Sequence, residues 1–217
     1  MLSCFVSGMA QNNKSKLDSI RIPKTWFNGL RLEINVAPII NSLLLNKEVF
    51  GYEAAIQANI LQKYYPVLEM GFAGADHMAT NDINFKTNGL YSRVGVDLNI
   101  IKPKPKQLPT NNLFLVGVRV GFSNFRYDLN NVILTDEYWG QSQKRDFTDE
   151  KASKVWFEIS AGMRVEVVKK VYMGWTIRSK NFFKEDTVGE LNPWYVPGYG
   201  ISSGSKWSLV YAIGYSF

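Results

Sequence analysis

The chain has 217 residues, 46% of them hydrophobic and 14% aromatic, with 17 glycines, one cysteine, one histidine and a formal net charge of +6. That length suits one domain. The mean hydropathy of −0.15 and the lack of any apolar run near the ~18 residues of a spanning helix argue against a helical membrane protein, a test that β-barrels escape because half of each strand is polar.

Met1 to Ala10 reads as the tail of a secretory signal peptide, with cleavage expected after Ala10. Loss of Cys4 with that segment would remove the only thiol, and with it disulfides and thiolate chemistry. Residues 11–24 form a polar, periplasmic lead-in, and residues 25–217 form the folded domain. Eight stretches then alternate large apolar and small or polar residues, the period-2 signature of two-faced strands. They run Trp26–Val36, Phe50–Ile60, Tyr65–Gly74, Leu90–Ile100, Leu113–Phe122, Val155–Val167, Val171–Lys180 and Trp207–Phe217. In the last, Trp207, Leu209, Tyr211, Ile213, Tyr215 and Phe217 oppose Ser208, Val210, Ala212, Gly214 and Ser216.

The links alternate in length. Leu61–Tyr64 and Val168–Lys170 are tight, whereas Pro38–Val49, Ala75–Gly89, Ser123–Lys154 and Asn181–Lys206 are long. In an up-and-down barrel all odd links share one rim, so one rim carries short turns and the other long loops, as in outer-membrane barrels. The Pro/Lys-rich link Lys102–Asn112 is the exception, read as an extended, charged periplasmic turn.

A soluble lipocalin-type barrel would show the same alternation with the faces reversed. The polar face, however, holds Arg31, Arg93, Arg119, Arg164 and Arg178 with Glu33, Glu53, Glu69, Asp97, Glu158 and Glu166, many glycines and almost no lysine. Arginine beside carboxylates suits buried, bidentate pairing better than a solvated surface. The predicted fold is therefore all-β: an eight-stranded antiparallel up-and-down transmembrane β-barrel whose lumen is filled by ion pairs. Scattered lysines (Lys14, Lys16, Lys102, Lys104, Lys106, Lys169, Lys170) form no nucleic-acid module, so nucleic acid is not an expected partner.

Read whole, the chain resembles a family of small outer-membrane β-barrel proteins of Bacteroidota. The residues that carry the resemblance are Pro66-Val-Leu-Glu-Met-Gly-Phe72, Gly74-Ala-Asp-His77, Tyr91-Ser-Arg-Val-Gly-Val-Asp97, Trp194-Tyr-Val-Pro-Gly-Tyr199 and the closing strand. The resemblance implies fold and location and transfers no catalytic residue. It also casts Tyr215 and Phe217 as the signal read by the barrel-assembly machinery.

Candidate chemistry is sparse. His77, the only histidine, could serve as a general base for a lipid-modifying barrel enzyme, but no serine is near it in sequence. Asp76, His77 and Asp82 match no metal-ligand spacing. The paired lumenal charges read as structure rather than as an acid and base. Trp194, Tyr195, Pro197 and Tyr199 form an apolar cluster in a candidate contact loop, for which contact with another protein and self-packing over the barrel mouth are equal accounts. The expectation is a non-enzymatic structural or interaction protein without cofactor, a candidate subunit of a larger outer-membrane assembly, touching lipid, lipopolysaccharide and a protein partner through its loops. A lipid-modifying enzyme and a narrow small-solute channel are the alternatives.

Overall fold

The computed structural model describes residues 25–39, 48–79, 82–101, 112–135, 142–183, 193–203 and 206–217. The expected signal remnant, the lead-in and almost all of the Lys102–Asn112 turn lie outside the described residues. Eight long strands are β1 (Phe27–Asn35), β2 (Val49–Ile60), β3 (Tyr64–Met78), β4 (Asn84–Asn99), β5 (Leu113–Thr135), β6 (Ser142–Val168), β7 (Val171–Phe182) and β10 (Trp207–Ser216). Between β7 and β10 a short ribbon joins β8 (Tyr195–Val196) to β9 (Gly200–Ile201).

The long strands close in the order β1-β10-β7-β6-β5-β4-β3-β2, every neighbour antiparallel. Closure pairs the first long strand with the last, Arg31 opposite Ser216 and Asn35 opposite Ala212, which joins the two ends of the sheet into a ring. The β2–β3 turn places Leu61 and Gln62 at φ 54° and 55°, a twist that suits a hairpin but that Asn and Gly adopt more cheaply.

Register explains the outer surface. Along β5, Phe114, Val116, Val118, Val120 and Phe122 point outward, and the matching residues of β4 and β6 include Leu90, Val94, Val155 and Ile159, all exposed. Leu90 is 70% exposed and Leu209 65%. Apolar side chains at such exposure, ringed by Trp26, Trp207, Tyr64 and Tyr215, form a belt whose stable neighbour is hydrocarbon. Phe114 to Phe122 spans nine residues, the length that crosses a bilayer as a tilted strand. The molecule is thus an integral membrane barrel.

Two differences from the sequence reading concern the long rim. Ala75–Gly89 and Ser123–Lys154, expected as loops, are largely strand: β3 and β4 pair out to Met78–Asn84, and β5 and β6 pair out to Thr135–Ser142. Their alternation persists but its phase inverts. Beyond Phe122, the inward residues are Ser123, Phe125 and Tyr127, and the outward ones are Asn124, Arg126 and Asp128. Water replaces lipid outside, so the apolar side turns in. The inversion falls on registered neighbours, because Asn124 pairs with Ser153 and Arg126 with Asn88.

Candidate functional site: the lumen and its long-rim mouth

The pleat sends alternate residues of each stave into the barrel, and among the described residues Arg31, Arg93, Arg119, Arg164, Arg178 and Lys180 are buried with Glu33, Glu53, Glu69, Asp97 and Glu158. Arg93 is the hub: its Nη1 donates to Glu53 at 2.6 Å and Glu69 at 3.1 Å, and its Nε donates to Glu158 at 2.8 Å. Arg178 bonds Glu69 at 2.8 Å and Glu53 at 3.3 Å. Arg119 pairs with Glu69 at 3.0 Å and Asp97 at 2.9 Å. Nearer the short rim, Arg164 grips Glu33 with two bonds of 2.8 and 2.9 Å. Gln57 links the two groups, donating to Asp97 at 2.8 Å and accepting from Arg31 at 3.3 Å. Arg31 in turn lies 4.3 Å over the Tyr172 ring.

Glycines make room for these side chains. A Cβ at Gly117 would strike the Asp97 carboxylate, one at Gly174 would strike Arg164, and one at Gly214 would lie 2.9 Å from the Glu33 stem. Each of these glycines is the cross-strand partner of the residue it would strike.

Of the lumenal set expected from sequence, Glu166 stands apart. It sits at the β6–β7 turn, where its carboxylate accepts the Lys170 backbone N–H at 2.8 Å. Four further participants stand outside the ion-pair set expected from sequence. Lys180 is buried and donates to the Tyr199 carbonyl, Trp156 donates to Glu158 at 2.7 Å, Tyr91 donates to Glu53 at 2.8 Å, and Gln57 bridges the two clusters. All four lie within the stretches read as strands and at their inward phases, so the alternation alone already places them in the lumen.

The loop carrying Trp194, Tyr195, Pro197 and Tyr199 turns inward. Tyr195, Val196, Pro197 and Tyr199 are buried, which is the geometry of self-packing over the mouth, one of the two accounts open for these residues. Tyr199 stacks on Phe182 at 3.9 Å and meets Trp156 edge-on at 5.9 Å. Trp194 stacks on His77 at 4.3 Å. These rings join Phe85, Phe125 and Tyr127 in an apolar core above the charged layer. Two lumenal cations hold the ribbon by its backbone: Arg93 reaches the Gly198 carbonyl at 2.5 Å and Lys180 the Tyr199 carbonyl. Gly198 has φ 82°, and a Cβ there would strike the Tyr91 ring. Burial pushes the Tyr195 phenol up to about 12, against the opposing pull of Arg93.

His77 has Glu48 at 2.9 Å from its Nδ1 as well as the Trp194 stack, and Asp76 faces Lys86 at 3.5 Å. No group of three or more His, Cys, Asp or Glu that could hold a metal occurs among the described residues. At the closing strand, Tyr215 and Phe217 are exposed on the belt and meet edge-on at 5.0 Å, and Phe217 donates its N–H to the Leu30 carbonyl.

Apolar belt, charged lumen and closed ladder together define an outer-membrane-type β-barrel, and the outer membrane is where such a surface resides. The chain belongs to the family described as Domain of unknown function (DUF6048), whose model matches residues 1–217. Among solved structures it is similar to the N-terminal barrel domain of Pseudomonas aeruginosa OprF, at 10% identity and TM-score 0.40 over 88% of this chain and 98% of that one. It is similar also to Yersinia pestis Ail, crystallised with the heparin analogue sucrose octasulfate, at 7% identity and TM-score 0.40 over 87% and 95%. Acinetobacter baumannii CarO2 is matched at 11% identity and TM-score 0.35 over 88% and 98%. Comparison with curated proteins gives no match. The fold assignment rests on the closed ladder of strand pairs.

Proposed function

We propose that this protein is a non-enzymatic scaffold of the outer membrane that presents a polar β-ribbon to a partner protein, as a subunit of a larger outer-membrane assembly. The observation that carries this reading is the reach of β5 and β6 beyond their neighbours. Their mutual pairing continues to Thr135–Ser142, whereas β4 stops opposite Asn130 and β7 opposite Trp156. From Phe122 to Thr135 the ribbon extends roughly 40 Å along the strand at about 3.3 Å per residue. Its outward faces are charged, with Arg126 gripping Asp149 through both carboxylate oxygens at 2.8 and 2.9 Å. A filled lumen beneath a projecting ribbon suits presentation better than transport.

On this reading lipid surrounds the belt, lipopolysaccharide lies against its outer edge, and the assembly machinery reads Tyr215 and Phe217 during insertion. The motifs around Gly74–His77 and Tyr91–Asp97 support a Bacteroidota origin for the family. His77, on which a lipid-modifying activity would depend, is engaged by Glu48 and Trp194, which supports a structural role for it. The test is affinity isolation from native membranes in mild detergent, comparing the full chain with a variant lacking residues 131–145. A stoichiometric partner retained by the first and lost by the second is the expected result. Recovery of the full barrel alone would overturn the assembly reading.

A further inference from the structure

The two rims of the barrel carry opposite charge. The links at the short rim, residues 61–63, 100–112 and 169–170, contain six lysines and no aspartate or glutamate. Those at the long rim, residues 36–48, 79–83, 136–141 and 183–206, contain seven acidic residues against three basic ones. The six short-rim lysines equal the formal net charge of +6, so the other 19 basic residues balance the 19 acidic ones. The excess charge of the chain stands at one end.

Lys63, Lys169 and Lys170 are exposed and lie beside the aromatic edge of the belt. Lys63 Nζ sits 5.2 Å over the ring of Tyr64, an outward residue that is 40% exposed. Its turn is bonded to Trp26, whose carbonyl accepts the Leu61 N–H at 3.0 Å. The Lys63 carbonyl accepts the Asn99 N–H at 2.8 Å, next to the exposed Ile100 and Ile101. At the β6–β7 turn, Lys169 and Lys170 follow the exposed Val167 and Val168, and the Lys170 carbonyl accepts the Ser216 N–H at 2.9 Å, between Tyr215 and Phe217.

Glu166 stands at the same turn, where it accepts the Lys170 N–H, and offsets one of these charges. Lys63 and Lys169 remain. A lysine whose stem lies along apolar surface places its ammonium in the headgroup layer. Near an anionic leaflet each such lysine is worth about five-fold in binding, an effect that fades within a Debye length. An acidic protein docked beneath the rim would draw the ammonium toward the barrel axis. Lys63 instead lies on the ring of an outward-facing tyrosine.

We propose that the short rim binds anionic phospholipid, with Lys63 and Lys169 paired to the headgroup phosphates of the leaflet in which they stand. In barrels of this type the short rim is periplasmic, so the lipids are those of the inner leaflet. The aromatic rings beside each lysine lie against the upper part of the acyl chains, so one lipid meets both a cation and an apolar surface. The acidic long-rim links offer the opposite sign, which makes the preference one of side as well as of charge.

The test uses the full chain in neutral maltoside detergent with equal amounts of phosphatidylglycerol and phosphatidylcholine of identical acyl chains, the retained lipids being counted by native mass spectrometry. Phosphatidylglycerol should be retained over phosphatidylcholine by roughly ten-fold, and the preference should shrink with added salt. Lys63→Gln with Lys169→Gln should lower it about five-fold or more. Lys86→Gln with Lys206→Gln removes the same charge from exposed positions at the long rim and should leave the preference within about two-fold of wild type, because those sites lie beyond the reach of the short-rim headgroups. Folding of both variants is checked by the mobility of the unheated barrel on gels. No preference in the wild type, a preference that survives the short-rim substitutions, or an equal loss in the long-rim control would overturn the proposal. A co-purifying acidic protein lost from the short-rim variant, with no lipid preference in the wild type, would overturn it too and assign the rim to that protein.

Discussion

At the scale of single residues, Glu69 concentrates the most charge. Its two oxygens meet Arg93, Arg119 and Arg178 within 3.1 Å, and it is 2% exposed. Removing its charge leaves three guanidiniums facing each other where solvent cannot screen them. Breaking a buried pair from one side typically costs about 3–5 kcal/mol. Glu69→Gln should therefore lower the urea midpoint of the lipid-embedded barrel by an amount of that order, whereas an exposed pair such as Lys86–Asp76 should contribute below about 1 kcal/mol. An unchanged midpoint for Glu69→Gln would mean the lumen admits enough water to screen the arginines. The opposite sign is expected in the β2–β3 turn, where Leu61 and Gln62 both hold positive φ. Leu61→Asn with Gln62→Gly should raise the same midpoint by roughly 1–2 kcal/mol, because a residue with a Cβ pays that much in the left-handed region.

At the scale of elements, the strand pattern was legible wherever lipid lies outside. Large-out, small-in alternation marked all eight staves, and the inward arginines and carboxylates could be read from phase alone. What was not legible follows from one physical change. Past Phe122 and Val155 the outer medium becomes water, the apolar phase slips by one residue, and a continuing strand looks like a loop. The mouth-covering ribbon was obscured for another reason: Trp194 to Tyr199 is apolar without being a strand that spans the membrane, and nothing local to it says whether its rings turn toward a partner or toward Phe182 and Trp156. Its burial has a consequence for pH. An unfolded phenol ionises near 10, while the buried Tyr195 phenol is held at about 12 by desolvation, with Arg93 pulling the other way. A group whose pKa is raised on folding contributes fully below its unfolded value and loses that contribution as pH rises toward its folded one. The unfolding midpoint of the wild type relative to Tyr195→Phe should accordingly be constant below pH 10 and fall between pH 10 and 12. A relative midpoint that stays flat to pH 12 would show the phenol reaches water.

At the scale of the whole molecule, the barrel interior is sealed in layers. Tyr65, Leu113 and Leu115 cluster near the short rim, where Arg31 lies between Tyr65 and Tyr172. The ion pairs from Glu33 to Glu158 fill the middle, and the aromatic core with Tyr195, Val196 and Tyr199 closes the long rim. Eight strands enclose only enough space for side chains, and here glycines are placed so that the longest ones fit opposite one another. An ion crossing the lumen would have to displace carboxylates already held by arginines, in a medium where unpaired charge is costly. The apolar cap and the charged layer are independent barriers, so removing one should not open a path. Planar bilayers containing the wild-type barrel should show no conductance steps, and the same silence is expected when residues 193–203 are replaced by a Gly/Ser segment of equal length. Steps from the replaced form alone would show that the ribbon is the only seal and that the ion-pair layer leaks. Steps from the wild type would make the lumen a conduit and return the small-solute channel as the leading account of the fold.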